Sequence, residues 1–365
     1  MNSKTNTDKN IRRINFLDYV RILAFLSVLV GHKLFAQHSS LLGADNHATL
    51  RFFAGLTIPL TWGGLAGVIL FFLTSGYIIT HVLQRERTSE FLIRRMFRIY
   101  PLFVAAVLLE LLLNWGINNV PFPPVSRLLP TLFLIGDFTG TGYSLGGVEW
   151  TLRIEIIFYV FMALMRALGV ILLPRLVVLV FLICTTLLYF ANPFPRLGLW
   201  TDGYLNLYIP FLFLGSILYL YEQKMIQGWL FFVALAFIFF LHLKLVPKIS
   251  PSWKESHAVF YALVIFLLFW CGRERFSKLP IVTFFSELTY SIYLFHNWIW
   301  GYLEKIVQSF GVNFISLNIQ VLILLTIVCY VSYRVIEKPG IRVGRSISKH
   351  MNAYSGSVFR SKQTV

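Results

Sequence analysis

The sequence predicts an all-α membrane protein with about ten transmembrane helices and both termini in the cytoplasm. The 365 residues are 57% hydrophobic and only 13% charged, which leaves too few charges to keep a soluble surface dispersed. Apolar runs of about 20 residues, the length that crosses the hydrocarbon core, recur along the whole chain. Basic residues collect in alternate connections between these runs, which sets an orientation.

Each apolar run is predicted to be one span. The first run contains Arg21 and has no small-residue cleavage site after it, so it is a retained span rather than a cleavable signal. The chain then divides into a cytoplasmic tail (1–14), a membrane domain (15–339) and a basic tail (340–365) that is predicted to be disordered. The ten spans are 15–35, 58–83, 99–116, 148–168, 171–190, 204–222, 228–245, 257–272, 281–305 and 315–336.

The charges give the orientation of these spans. With the N-terminus in the cytoplasm, 23 Lys and Arg residues lie in inside segments and 8 in outside segments. The positive-inside rule therefore places both termini in the cytoplasm. The net charge of +16 is explained by this topology and by anionic lipid, and no basic face or stacking platform predicts a nucleic-acid partner.

The three cysteines, Cys184, Cys271 and Cys329, lack the spacing of metal ligands, so no metal site is predicted. The longest outside connection, 117–147, is rich in Pro and Gly. It fits a glycan-facing lid and, on composition, a plain linker equally well.

Ionisable residues inside spans are costly and usually face the interior of the helix bundle. The first span holds Asp18, Arg21 and His32. Arg21 and His32 are eleven residues apart, which leaves a net angular offset of about 20° and a rise of about 16 Å. They therefore share one face, and Asp18 is placed to pair with Arg21. An anchoring ion pair and an interfacial histidine are the simpler alternatives.

Further polar groups lie in the second and fourth spans. Glu149 and Arg153 are four residues apart and are placed to pair, whereas Glu155 points elsewhere among apolar residues. Ser75 and Gly76 interrupt the apolar segment FFLTSGYII. Small residues there favour close helix packing over a serine nucleophile, because the hydrolase elbow motif is absent.

Two other segments suggest ligand contacts. Arg94 and Arg98 are one helical turn apart before the third span, so they are placed to grip phosphates together, although a topology signal explains them too. Tyr293 and His296 in the ninth span share a face that would line a polar cavity.

Six motifs in this order resemble the acyltransferase type 3 family of integral-membrane O-acyltransferases. The first span holds an Arg followed by ten residues and a His, and FFLTSGYII matches a Ser-Gly-aromatic segment. RRMFRIYP, EWTLRIEIIFY, YSIYLFH and IEKP match the family's later motifs. The resemblance covers nearly the whole chain.

The resemblance implies acyl-coenzyme A (acyl-CoA) as donor substrate, with acetyl as the default acyl group, and no permanently bound cofactor. Its further partners would be the lipid bilayer and a glycan or lipid-linked glycan acceptor. His32 would be either a general base or a transient acyl carrier. The predicted residues are His32, Glu155, Arg21 and Asp18 for catalysis, Arg94, Arg98, Arg21, Ser75 and Tyr77 for the donor, and Trp150, Arg153, Tyr293 and His296 for the acceptor.

A transporter of a glycan or lipid-linked sugar is the alternative from another functional class, since buried polar residues also mark transport pathways. Consumption of a labelled thioester would distinguish the two.

Overall fold

The computed structural model describes residues 13–196, 202–249 and 255–361, and every regular element in these ranges is helical. The predicted N-terminal tail lies outside the described residues up to residue 12, as do residues 362–365. The helices are α1 (Asn15–Leu29), α2 (Phe35–Ser40), α3 (Ala48–Thr61), α4 (Leu65–Leu83), α5 (Thr88–Asn118), α6 (Val125–Leu132), α7 (Gly136–Thr139), α8 (Glu149–Ala167), α9 (Pro174–Phe190), α10 (Tyr204–Glu222), α11 (Gly228–Ile249), α12 (Glu255–Cys271), α13 (Pro280–Phe295), α14 (Trp300–Ser309), α15 (Leu317–Ser332) and α16 (Lys338–Ser361).

The described residues form a multi-pass membrane protein. Six helical stretches among them are long and apolar enough to cross a bilayer, and α9 and part of α12 are shorter apolar helices. A helix lies at each of the ten predicted positions. The count of ten crossings and the cytoplasmic termini stay predictions. The six long stretches are Asn15–Ser40, Ala48–Leu83, α5, α10, α11 and Leu317–Met351.

Helices α4 and α10 form the centre of the bundle. In the most apolar stretch of α10, 89% of the residues are buried. In the corresponding stretch of Leu317–Met351, at the periphery, only 17% are buried. Two glycines allow the close approach: a Cβ on Gly76 would lie 1.9 Å from the Leu212 carbonyl oxygen, and one on Gly215 would lie 2.0 Å from the Leu73 oxygen. Small residues at this crossing let the two backbones touch.

This packing makes a testable prediction. Gly76→Ala is expected to lower the free energy of unfolding by about 1–3 kcal/mol, because the new methyl group displaces a backbone carbonyl. The thermal unfolding transition in detergent measures the change. Gly55→Ala is the matched control, since a Cβ at this position in α3 has nothing within 4 Å. Equal transitions for the two variants would refute the packing role.

Two predicted spans are broken in the structure. The second span (58–83) is interrupted at residues 62–64, where Gly63 and Gly64 have φ of +57° and +70°. On the facing helix, a Cβ on Gly31 would lie 2.2 Å from the Thr61 oxygen, so only glycine fits there. The ninth span (281–305) is interrupted at residues 296–299, between α13 and α14. Both breaks carry groups of the site described below.

The C-terminal tail differs from the prediction of disorder. The chain after Pro339 continues as α16 and packs on α5. Gly344 would place a Cβ 2.6 Å from the Phe97 side chain, and the buried Ser348 accepts a hydrogen bond from Arg94. Gly344 and Ser348, which are both buried and four residues apart, form a packing face on α16. This face is not evident from the polar composition of the helix.

Candidate active site

Two histidines from distant segments meet at the two helix breaks. His32 lies in a π-helical turn, Val30–Leu34, between α1 and α2. Its Nδ1 lies 2.9 Å from Nε2 of His296, and the two rings stack with centroids 5.1 Å apart. His296 Nδ1 lies 2.7 Å from the Tyr293 carbonyl oxygen. The His32 Nε2 lies 3.2 Å from the Gly63 carbonyl oxygen.

This chain of contacts assigns the ring protons. A carbonyl oxygen only accepts, so His296 Nδ1 carries a proton and donates it to Tyr293. In a buried neutral imidazole the other nitrogen is then an acceptor, and His32 Nδ1 donates to it. By the same rule, a hydrogen bond from His32 Nε2 to the Gly63 oxygen needs a proton on that nitrogen, so all three contacts are satisfied when His32 is protonated. In the neutral pair the lone pair of His32 Nε2 faces the Gly63 oxygen, and this nitrogen can take up a proton.

The two rings differ in solvent access. His296 is 1% exposed, whereas His32 is exposed. The Gly63 position beside His32 Nε2 borders open space, because a Cβ built there meets nothing within 4 Å. His32 is therefore accessible from the side of Gly63, which we call the recess, whereas His296 is enclosed by the protein.

A cavity of about 90 Å³ lies among α1, α4, α5, α8 and α13. It follows α4 for eleven residues, from Val68 to Ile79, which is a height of about 16 Å. Tyr293 lines the cavity at one end and contacts the His296 ring, so it separates the cavity from the recess. The polar and charged lining residues are Arg21, Ser75, Arg95, Arg98, Thr151, Glu155, Tyr159, Thr289, Tyr290 and Tyr293.

The arginines of this cavity are not the predicted set. Arg21 and Arg98 line it as expected, but the third is Arg95. Arg94 instead binds Glu86 at 2.6 Å, and also Glu90 and Ser348. The Nε of Arg95 is buried and has no hydrogen-bond partner among the described residues. Arg95 and Arg98 are three residues apart, a spacing that fits one helix face as well as the four-residue spacing of Arg94 and Arg98 does.

The predicted catalytic carboxylates lie in different places. Glu155 lines the cavity and accepts a hydrogen bond of 2.6 Å from Ser75. The side-chain partner of the His32 imidazole is His296. Asp18 does not pair with Arg21; it binds Arg13 at 2.5 Å and Ser286 at 2.6 Å, which ties α1 to α13.

The family described as "Acyltransferase domain" matches residues 14–334. The chain belongs to this acyltransferase family. Nodulation protein 10 of Rhizobium leguminosarum bv. viciae is similar to it, at 28% identity over 174 residues that cover 42% of this chain. The match covers 44% of that relative, so the chain spans less than half of its length. No solved structure matches the chain.

Besides Arg94 and His296, three more predicted ligand-binding residues lie outside the lining of the cavity. Tyr77 packs against Phe16 and Tyr219, on the opposite face of α4. Trp150 is 5% exposed and packs against Tyr204 and Tyr208.

Arg153 is the third, and its predicted pair with Glu149 is present at 3.0 Å. Its side chain is 1% exposed and also binds Asp137 at 2.8 Å. Glu149 is fully buried, unlike the surface residue that its sequence position suggests.

Proposed function

We propose that this membrane acyltransferase transfers an acyl group from acyl-CoA to a hydroxyl of an envelope polysaccharide or lipid-linked glycan, with His32 as general base. The observation that carries the proposal is the chain from the Tyr293 carbonyl through His296 to His32. In the neutral pair it leaves a lone pair on the His32 Nε2, and a proton taken up there is stabilised by the Gly63 carbonyl oxygen. Neutral imidazole is the commonest biological base for a hydroxyl near neutral pH.

The arginine cavity supports an anionic donor. Arg21, Arg95 and Arg98 line one cavity, and guanidinium groups bind phosphates through charge-assisted hydrogen bonds. The unpartnered Arg95 Nε leaves one donor free for such a ligand. In the predicted orientation α5 begins at the cytoplasmic face, where acyl-CoA is found.

Tyr293 lies between the cavity and the histidines, because it lines the cavity and contacts the His296 ring. Tyr293, hydrogen bonded to Thr151 at 2.9 Å, is the residue that must move for the thioester to reach the histidines.

In the proposed reaction His32 accepts a proton in the first step and gives it back in the last. The His32 Nε2 takes the proton of the acceptor hydroxyl while the hydroxyl oxygen attacks the thioester carbonyl carbon. The Gly63 carbonyl accepts a hydrogen bond from the resulting imidazolium, and His296 accepts the other. The carbon–sulfur bond then breaks, and the leaving thiolate takes the proton back from His32. The products are the ester and free coenzyme A.

The geometry favours a base over an acyl carrier. An acyl group on His32 Nε2 would meet the Gly63 oxygen, which lies only 3.2 Å from that nitrogen. A proton on the same nitrogen satisfies this oxygen instead. The contact therefore stabilises the protonated ring and opposes the acylated one.

An envelope glycan is proposed as acceptor because His32 is open to the recess opposite the arginine cavity. The positive-inside pattern supports a bacterial inner membrane, where this recess would face outward. Acetyl is the proposed acyl group.

The test is incubation of the purified protein in lipid nanodiscs with labelled acetyl-CoA, with and without membrane glycans. The expected result is thioester consumption that depends on the glycan fraction, with label on the glycan by mass spectrometry. Glycan movement without thioester consumption would support the transporter alternative and overturn the proposal.

A further inference from the structure

A buried ion network lies beside the dihistidine pair without touching it. Arg153 on α8 binds Asp137 on α7 at 2.8 Å and Glu149 at 3.0 Å, and all three side chains are at most 1% exposed. Tyr204 on α10 donates to Asp137 as well. Buried ion pairs contribute little net stability, because removing the charges from water offsets their attraction. These ion pairs are therefore expected to matter mainly for the backbone conformation of the segments that they hold.

The network holds a turn of uncommon backbone geometry. Leu145, Gly146 and Gly147 have φ of +52°, +64° and +82°, the left-handed region that a leucine rarely adopts. Two carboxylates bind the amides of this turn: Glu149 accepts from the Ser144 nitrogen at 2.8 Å, and Glu110 from the Leu145 nitrogen at 2.8 Å. A strained backbone persists where its surroundings fix it, and such strain clusters at functional sites.

The turn at Leu145–Gly147 also contacts the segment that carries His296. The Gly146 carbonyl accepts a hydrogen bond of 2.6 Å from the side-chain amide of Asn297. The approach is so close that a Cβ on Gly146 would lie 2.8 Å from the Asn297 nitrogen. Asn297 follows His296 directly, in the break between α13 and α14.

We infer that the turn Leu145–Gly147, fixed by Glu149, Arg153 and Glu110, is a positioning device that sets His296, and through it His32, in catalytic geometry. This inference rests on the proposed role of His32. Asn297 and Gly146 are positioning residues, since neither contacts the basic nitrogen. Arg153, which the sequence analysis predicts to bind the acceptor, binds two carboxylates of the protein in this network.

The experiment exploits three glycines in one segment. Gly146→Ala introduces both the left-handed strain and the clash with Asn297. Gly140→Ala introduces the strain alone, because Gly140 has φ +68° and nothing within 4 Å. Gly142→Ala introduces neither. The rates of acetyl transfer are measured for the three variants in nanodiscs, with thermal unfolding as the control for folding.

Gly146→Ala is expected to lower kcat by about 10- to 100-fold, since a displacement of about 1 Å costs up to about 100-fold. The KM for acetyl-CoA should stay unchanged, because the arginine cavity is not affected. Gly140→Ala and Gly142→Ala should keep kcat within about twofold. A loss of unfolding temperature with unchanged kcat would show a structural role only and overturn the inference.

A double-mutant cycle tests the contact itself. Asn297→Ala removes both the hydrogen bond and the group that clashes, so Gly146→Ala should cost little more in that background than Gly140→Ala does. Independent, multiplicative losses would overturn the inference. His32→Ala run in parallel separates the two failures: an active His32→Ala variant refutes the proposed function, whereas a normal Gly146→Ala variant beside an inactive His32→Ala variant refutes only the positioning device.

Discussion

Replacing His32 by alanine is expected to lower kcat for acetyl transfer by about 10²- to 10⁴-fold, the usual contribution of a general base. The loss should fall on kcat, because His32 faces the recess and does not line the arginine cavity. Added imidazole should restore part of the rate, since the His32 side chain that it replaces is exposed at the surface of the protein. Transfer of labelled acetyl to glycan in nanodiscs measures both effects.

The matched control for this prediction is His38→Ala. His38 lies on α2, six residues further along, and its ring binds Thr61 and Thr57 at 2.9 and 2.8 Å. It has no role in the proposed reaction, so its replacement should leave kcat within about twofold. A His32→Ala protein that transfers acetyl at the wild-type rate would exclude His32 as base and as acyl carrier alike.

The helices were predictable from the sequence because the bilayer requires long apolar runs with all backbone groups paired internally. The interruptions inside them were not. At the break at 62–64 a Cβ on Gly31 would lie 2.2 Å from the Thr61 oxygen, and at the break at 296–299 Asn297 donates to the Gly146 carbonyl. Both are tertiary contacts, and they join segments that are distant in the sequence.

The site was predictable to the extent that polar groups are costly in a membrane. That cost identifies His32, Ser75 and Glu155 from their neighbours alone. It does not predict which polar groups contact each other. His32 and His296 are 264 residues apart, and the sequence of one span does not indicate which other span packs against it. The same limit explains why Asp18, which binds Arg13 and Ser286, was expected to pair with Arg21.

Arg95→Met is expected to raise the KM for acetyl-CoA by about 10- to 100-fold with little change in kcat, because one charged hydrogen bond to a phosphate contributes about 1.5–3 kcal/mol. Arg94→Met is the matched control on the same helix. The Arg94 side chain is held by Glu86, Glu90 and Ser348. Its loss should lower the unfolding temperature and leave the donor KM unchanged.

The donor itself supplies a second control for this prediction. S-acetyl pantetheine has the thioester arm without the nucleotide phosphates, so its KM should be high for the wild-type protein and insensitive to Arg95→Met. The sequence cannot choose between the two arginines, since spacings of three and four residues from Arg98 both fit one helix face. In the structure, Glu86, Glu90 and Ser348 bind the Arg94 side chain. The Arg95 Nε has no hydrogen-bond partner among the described residues, so Arg95 is the arginine with a donor available for a ligand. Equal donor KM values for the two variants would mean that the phosphates bind elsewhere.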